Sequence, residues 1–259
     1  AITVLMPVYN GSKYLAEAIE SIITQTYSNI EFLIINDKST DNSLDIIRSY
    51  NDSRIKLIEN ENNLGQTVTL NKGIKLAKGK YIARLDQDDI SMPERIAKQV
   101  KYLNNNPDIA FVGTDFKCID ADGNYIRELK WPVGFANSLF FILRGDNPVG
   151  HPSVIIKKNV FEKIGYYRKE YGPSADQDLW LRMYLNGYQS DNIPELLTCY
   201  RLHSEQDSKI KENKQHKNHN LAFVDFYTKL TKQEIEYSKI EQYLNVFVWG
   251  TQTLNKNNK

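Results

Sequence analysis

The 259-residue chain has little cysteine, no surplus of either charge and no long apolar run. Cys118 and Cys199 are its two cysteines and no CxxC occurs, which excludes a disulfide framework. The pair reads as ordinary buried thiols, and a reducing cytoplasm is the expected compartment. Thirty-three Lys+Arg stand against thirty-two Asp+Glu, a net charge of +1. Proteins that grip nucleic acid carry a large basic excess, so nucleic acid is not an expected partner. No stretch approaches the roughly 18 apolar residues of a membrane span. The opening AITVLMPVYN reads as a strand and lacks the pattern of a secretory signal. Neither G-x-G-x-x-G nor G-x-x-x-x-G-K-[ST] is present, which argues against a nicotinamide dehydrogenase and a P-loop NTPase. With 41% hydrophobic and 25% charged residues, the chain is globular, with length for one large domain or two small fused ones.

Strand and helix patterns alternate through the first ninety residues. Ile2 to Val8, Ile30 to Ile35, Ile55 to Ile58 and Tyr81 to Leu85 are short apolar, β-branched-rich runs. Leu15, Ala18, Ile19, Ile22 and Ile23 recur at helical spacing. A second helix carries Leu44, Ile46 and Ile47, with Thr40 or Asp41 as its expected N-cap. A third carries Leu70, Ile74 and Ala77, with Gly79 as its expected stop. Units of this length predict a mostly parallel sheet with helices on both faces. Ligands bind such sheets outside the carboxyl ends of the strands. That rule selects Pro7-Val8-Tyr9-Asn10, Asn36 to Asp41, and Asp86-Gln87-Asp88-Asp89.

The middle of the chain is mixed. Pro93 suits the first turn of a helix reaching about Asn104. Strands are expected over Ile109 to Cys118, after the 120–124 turn, over Val154 to Ile156 and over Leu196 to Leu202. A helix is expected over Leu179 to Leu185, stopped by Gly187. Residues 204–220 are almost all polar and read as a mobile or solvated segment. Beyond it, Ile240, Tyr243, Leu244, Phe247 and Val248 form one helical stripe. Packing on its own domain is the first reading of that stripe; contact with a second copy or a membrane surface are the others.

Several residues can carry chemistry. Asp86, Asp88 and Asp89 crowd negative charge at a strand end, which a hard divalent cation such as Mg2+ or Mn2+ relieves. Taken alone, a helix N-terminus is the plainer reading of this cluster. Asp37 suits a ribose hydroxyl or base N–H, and Tyr9 offers a flat face to a base. Turn and cap roles are the plainer reading. Asp176 and Asp178 precede a helix, where one caps it and the other serves as a general base. His203 is a candidate to complete a metal site begun by Asp88, and His151 lies in a turn-rich stretch facing an acceptor.

Together these segments resemble a bacterial family 2 glycosyltransferase of GT-A fold. The resemblance rests on PVYN at 7–10, IEFLIINDKSTD at 30–41, NLG at 63–65 and NKGIKLAKGKYIARLDQDD at 71–89. It continues through GHPSVIIKKNVFEKIGYYR at 150–168, ADQDLWLR at 175–182 and YRLH at 200–203. It implies a 1–205 transferase domain, with a nucleotide-sugar half at 1–90 and an acceptor half at 91–205. A polar linker and helical extension follow at 206–259. It implies an inverting transferase taking a UDP-sugar to a hydroxyl of a glycan or lipid-linked acceptor, in bacterial cell-surface polysaccharide synthesis. Pro7, Tyr9, Asn10, Asp37, Asn63, Gly65, Asp86 and Gln87 would bind the nucleotide. Asp88 and His203 would hold Mn2+ or Mg2+ on the diphosphate. Asp176 would be the base, with Asp178 second, and His151 and Trp180 would lie on the acceptor side. The expected place is the cytoplasm, with peripheral contact at the inner membrane face as a further expectation.

The chain departs from the family pattern at Asn36, where Asp is usual, at Lys38, where Gly is usual, and at Ala175, where an acidic residue usually precedes the base. Two other readings remain at this level. A nucleotidyltransferase acting on sugar phosphates would need a basic glycine-rich loop, and PVYNGSK offers little of one. A non-catalytic carbohydrate-binding protein of transferase descent is disfavoured by the retained carboxylates.

Overall fold

The computed structural model describes residues 1–249, and strand–helix alternation begins at once. β1 (Ile2–Val8), α1 (Leu15–Ile23), β2 (Ile30–Asn36), α2 (Ser43–Ser49), β3 (Ile55–Glu59), α3 (Gln66–Leu76) and β4 (Tyr81–Arg84) form the first half. β5 (Ile90–Ser91), α4 (Arg95–Asn105), β6 (Ile109–Ile119), β7 (Tyr125–Leu129), α5 (Phe135–Arg144), β8 (Ile155–Lys157) and α6 (Lys158–Ile164) follow. α7 (Ala175–Leu185), β9 (Gln189–Arg201), α8 (Asp207–Ile210), α9 (Glu212–Thr231) and α10 (Tyr237–Leu244) complete the order.

Strand order is β3-β2-β1-β4-β8-β6-β9-β5, with β7 hydrogen-bonded to β6. β1 to β4 pair in parallel. β8 runs against both β4 and β6, and β6 and β9 are parallel. This reversal puts the carboxyl ends of β1, β2, β4, β6 and β9 on one edge. It also delivers the turn preceding β8, with His151, to that edge. Alternation along β1 feeds two cores. Ile2, Val4, Met6 and Val8 face α1 and α4, through Leu15, Ile19, Ile22, Ile96 and Val100. Leu5 faces the other way, toward Leu70 and Ile74 of α3, in the core that also takes Trp180 and Met183 of α7. A strand buried on both faces explains why β1 reads as an unbroken apolar run.

Four expectations are corrected. The N-cap of α2 is Asn42; Asp41 instead accepts the Ser43 and Ser12 N–H groups at 3.0 and 2.9 Å. Helix α3 is capped at Ala77, and Gly79 serves close approach: a Cβ there would lie 2.3 Å from the Thr3 backbone nitrogen. β9 starts at Gln189, well before Leu196, accommodating Pro194 where its register against β6 shifts. Most consequential, the polar 204–220 stretch runs into α9, with Asn218, His219 and Asn220 buried. The Asn218 amide donates to the Tyr171 carbonyl at 2.9 Å, and His219 Nε2 pairs with the Gly145 carbonyl at 2.9 Å. Its polar residues are therefore internal ties to the Gly145 and Tyr171 segments. Ala222, Phe223 and Phe226 of α9, with Ile240, Leu244 and Val248 beyond, join the α7 core. The apolar stripe is thus buried within the chain; the side chain of Phe247 lies outside the described residues. Among the described residues no helix is long and apolar enough to cross a membrane.

Candidate active site

The first strand end is built by cross-loop hydrogen bonds. Pro7 lies inside β1, opposite Ile35 of β2, and beyond the last β1–β4 pair at Leu5 and Arg84, so no β4 residue needs its missing N–H. Tyr9 is 46% exposed, leaving its ring open to a planar ligand. Its backbone N–H donates to Gln87 Oε1 at 2.9 Å, and Gln87 Nε2 donates back to the Tyr9 carbonyl at 3.1 Å. Gln87 thereby ties β1 to the acidic loop. Asn10 Oδ1 accepts the Thr40 N–H at 2.8 Å. Asn10 and Lys38 sit at φ 48° and 63°, left-handed backbone that favours glycine. Sparsely populated backbone of this kind clusters at ligand clamps.

Asp37 is 3% exposed. Its Oδ1 accepts from Asn60 Nδ2 at 2.7 Å and Leu64 N–H at 2.9 Å, and its Oδ2 from Gly65 N–H at 2.8 Å. Three of a carboxylate's roughly four acceptor positions are filled, leaving room for about one further donor. Asp37 thus shapes the Asn60–Gly65 loop. Asn63 Oδ1 supports the same loop through the Gly65 N–H at 3.1 Å, and Gly65, at φ 83°, caps α3.

At the end of β4, Asp86 is ion-paired with buried Arg84. Asp88 Oδ2 lies 2.8 Å from His203 Nε2. Arg201 organises this corner: its backbone N–H donates to Asp89 at 2.9 Å, its Nε to the Asp88 carbonyl at 3.0 Å, and its guanidinium pairs with Glu17. Asp89 is sealed in the interior, where burial and the charges of Asp88 and Asp86 push its pKa well above the carboxylate range. It builds the loop, while Asp86 and Asp88 pair with Arg84 and His203.

The cation implied by the resemblance can be tested against these donors. Among the described residues no three His, Cys, Asp or Glu side chains cluster as a cage. Asp88 and His203 converge as a pair, one hard carboxylate oxygen and one imidazole, and His203 Nδ1 has no hydrogen-bond partner. A pair suits Mg2+ or Mn2+ bound partly by protein and partly by substrate phosphates and water. The residues therefore fit such an ion.

Asp176 stands in the first turn of α7. Burial raises its pKa to about 6, against backbone N–H donors at the helix start, and Asp86 adds to the rise. Asp178 is 1% exposed and gripped by Arg168 and by Arg182, the latter at 3.0 Å. Arg168 also reaches Asp225 of α9 at 2.8 Å. Asp178 is therefore the hub of an internal ion network.

His151 Nε2 lies 2.9 Å from the Tyr167 hydroxyl. Burial and Arg84 hold its pKa well below the usual imidazole value, so the ring is neutral. Trp180 is fully buried, stacked on Phe111 at 5.0 Å and lying behind His151 at 6.1 Å. It lies in the core and has no surface of its own to offer a ligand. Sequence reasoning missed Arg84, Tyr167 and Arg201. An arginine inside the apolar run YIARL was the visible signal for the first. Tyr167 gave none; its backbone is fixed from α3 by Asn71, at 2.7 and 3.0 Å.

The chain matches the family described as Glycosyl transferase family 2 over residues 3–165. It is 38% identical over 222 residues to an uncharacterized glycosyltransferase of Methanocaldococcus jannaschii, covering 82% of this chain and 75% of that one. It is 37% identical over 215 residues to the Escherichia coli O-antigen biosynthesis glycosyltransferase WbnJ, covering 80% of this chain and 82% of the relative. The structure of S. aureus TarS 1–349 with UDP-GlcNAc superposes at a TM-score of 0.72, with 19% identity over 95% of this chain and 71% of that one. The mannosyltransferase PcManGT of Pyrobaculum calidifontis, in complex with GDP-Man and Mn2+, gives 0.66, with 18% identity over 94% and 68%. These two likenesses establish the GT-A fold. The chain belongs to glycosyl transferase family 2 and is a glycosyltransferase.

Proposed function

We propose that the chain is an inverting transferase that moves a sugar from a UDP-sugar to a hydroxyl of a glycan or lipid-linked acceptor in cell-surface polysaccharide synthesis. The observation that carries this reading is Asp176, a half-buried carboxyl with a pKa of about 6 that lies within the electrostatic reach of Asp86. Such a group is ionised at neutral pH and basic enough to take a proton from a hydroxyl. WbnJ, an O-antigen biosynthesis enzyme, supports the pathway class. TarS, solved with UDP-GlcNAc, supports the donor class.

In this reading Tyr9 stacks on the base, the remaining acceptor position of Asp37 takes the base N–H, and Asp86, oriented by Arg84, meets the ribose. Asp88 and His203 would hold Mn2+ or Mg2+, which when bound offsets charge on the departing diphosphate. Asp176 takes the acceptor hydroxyl's proton as its oxygen forms a bond to the anomeric carbon. The bond from that carbon to the diphosphate breaks on the opposite face, and its electron pair leaves with the nucleotide. The centre inverts, with no covalent link to the protein. The fixed cleft holds donor and acceptor in line. With the apolar stripe buried, contact with an anionic membrane face would fall to exposed Lys209, Lys211, Lys214 and Lys217.

Calorimetry of UDP binding with and without Mn2+, on wild type and Asp88→Ala, with GDP and CDP as controls, tests the donor reading. Metal-dependent binding selective for UDP and lost in the variant is expected. Equal UDP affinity with and without metal would refute the assigned ion site, and preference for GDP would refute the UDP assignment.

A further inference from the structure

The carboxyl end of β6 carries a group that neither the donor site nor the base uses. Register between β6 and β9 shifts on both sides of Asp115. Bulges of this kind re-aim side chains and recur beside active sites. Asp115 is 4% exposed; its Oδ1 accepts the Trp131 N–H at 3.0 Å, and no described residue pairs with its Oδ2. Burial raises its pKa, with nearby Lys130 only partly opposing the rise. A carboxylate held this way lacks a donor that a ligand hydroxyl can supply.

An aromatic wall adjoins it. Phe116 stacks on Tyr200 at 5.5 Å and meets Trp131 edge-on at 5.4 Å. Phe116 is buried, whereas Trp131 and Tyr200 remain half-buried. The indole N–H of Trp131 is buried without a hydrogen-bond partner. Gly150 lies directly on the Phe116 ring, where a Cβ would fall 2.1 Å from Cζ. The wall is therefore continuous with His151 on one side. Through Tyr200 and its neighbour Arg201, it is continuous with the Asp88 loop on the other.

We propose that Asp115, Trp131 and Tyr200 form a subsite for a pyranose ring of the acceptor saccharide. A pyranose offers an apolar C–H face and a rim of hydroxyls. The half-open rings take the face, and Asp115 Oδ2 accepts from the rim. No bond is made or broken there, so these are positioning residues, and the inference rests on the transferase reading.

The test is saturation-transfer NMR of the full chain with UDP, Mn2+ and methyl glycosides of glucose, galactose, mannose and N-acetylglucosamine. Wild type is compared with Asp115→Asn, which preserves shape and the Trp131 contact, and with Trp131→Leu. At least one glycoside is expected to receive saturation on its ring protons, falling by about fivefold or more in each folded variant, the loss of about one hydrogen bond. Uridine signals should persist throughout. A glycoside signal undiminished in Asp115→Asn would overturn the subsite, as would no glycoside signal in wild type. Missing uridine signals in wild type would refute the nucleotide donor instead, while a glycoside signal sensitive to Asp115 would still uphold the subsite.

Discussion

Replacing Asp176 by Asn separates what this carboxyl does for catalysis from what it does to the fold. Its pKa is about 6 in the native chain against 3.8 for the ordinary side chain, the rise coming first from burial. A gap of about two pH units corresponds to about 3 kcal/mol at most. The native state holds the proton more tightly than the unfolded state, so the neutral form is the stabilising one. Its benefit is complete below about pH 4, shrinks as pH rises through 6, and is gone by about pH 8. Asn stays neutral at every pH. The variant should therefore match wild type near pH 4 and exceed it at pH 8 by up to about 3 kcal/mol, or roughly 6–12 °C in Tm. Calorimetric melts from pH 4 to 8 read this difference directly. Wild-type kcat should rise with pH through about 6 as the base ionises, and the variant should bind UDP but not turn over. A Tm difference that does not grow with pH, or a variant less stable at pH 8, would refute the argument that burial strains this carboxylate.

Asp178→Ala leaves Arg168 and Arg182 facing an empty hub and should cost about 3–5 kcal/mol in urea unfolding; a loss under 1 kcal/mol would contradict the buried network. Lys38→Gly removes a side chain from left-handed backbone and should stabilise by about 1 kcal/mol in the same assay. Gly79→Ala drives a Cβ into the Thr3 backbone and should lower stability by about 1–3 kcal/mol, whereas an unchanged midpoint would show that β1 and the α3–β4 turn can separate freely. Truncation after residue 205 removes Ala222, Phe223, Phe226, Ile240, Leu244 and Val248 from the α7 core. The shortened chain should lose cooperative unfolding and near-UV circular dichroism, and a cooperative melt would show that the C-terminal helices are dispensable.

The parts of the fold legible in the sequence are those where one period governs the residues. β1, β2 and β4 announce themselves as apolar runs because both of their faces are covered, and α1 because its buried positions recur at helical spacing. The strand-end rule then finds Tyr9, Asp37, Asp86 and Asp88 without any contact information. What it does not find is how shared side chains divide their work. Asp37 looks like a ligand contact, and three of its acceptor positions hold a loop. ADQDLWLR puts Asp176 first and keeps Asp178 as the second choice for a base. Arg168, ten residues upstream of Asp178, and Asp225, on a helix that reads as polar until it packs, hold Asp178 in an ion network that the motif does not show. The same distance effect hid α9: Asn218, His219 and Asn220 look solvated because their partners, the carbonyls of Tyr171 and Gly145 among them, lie 47 and 74 residues away. A buried polar residue is unreadable locally because what makes it tolerable is a partner supplied by topology. In this chain those partners tie the C-terminal helix to the segment before α7. The element least like a transferase motif in sequence is thus bonded to the segment before α7 and packed on α7 itself.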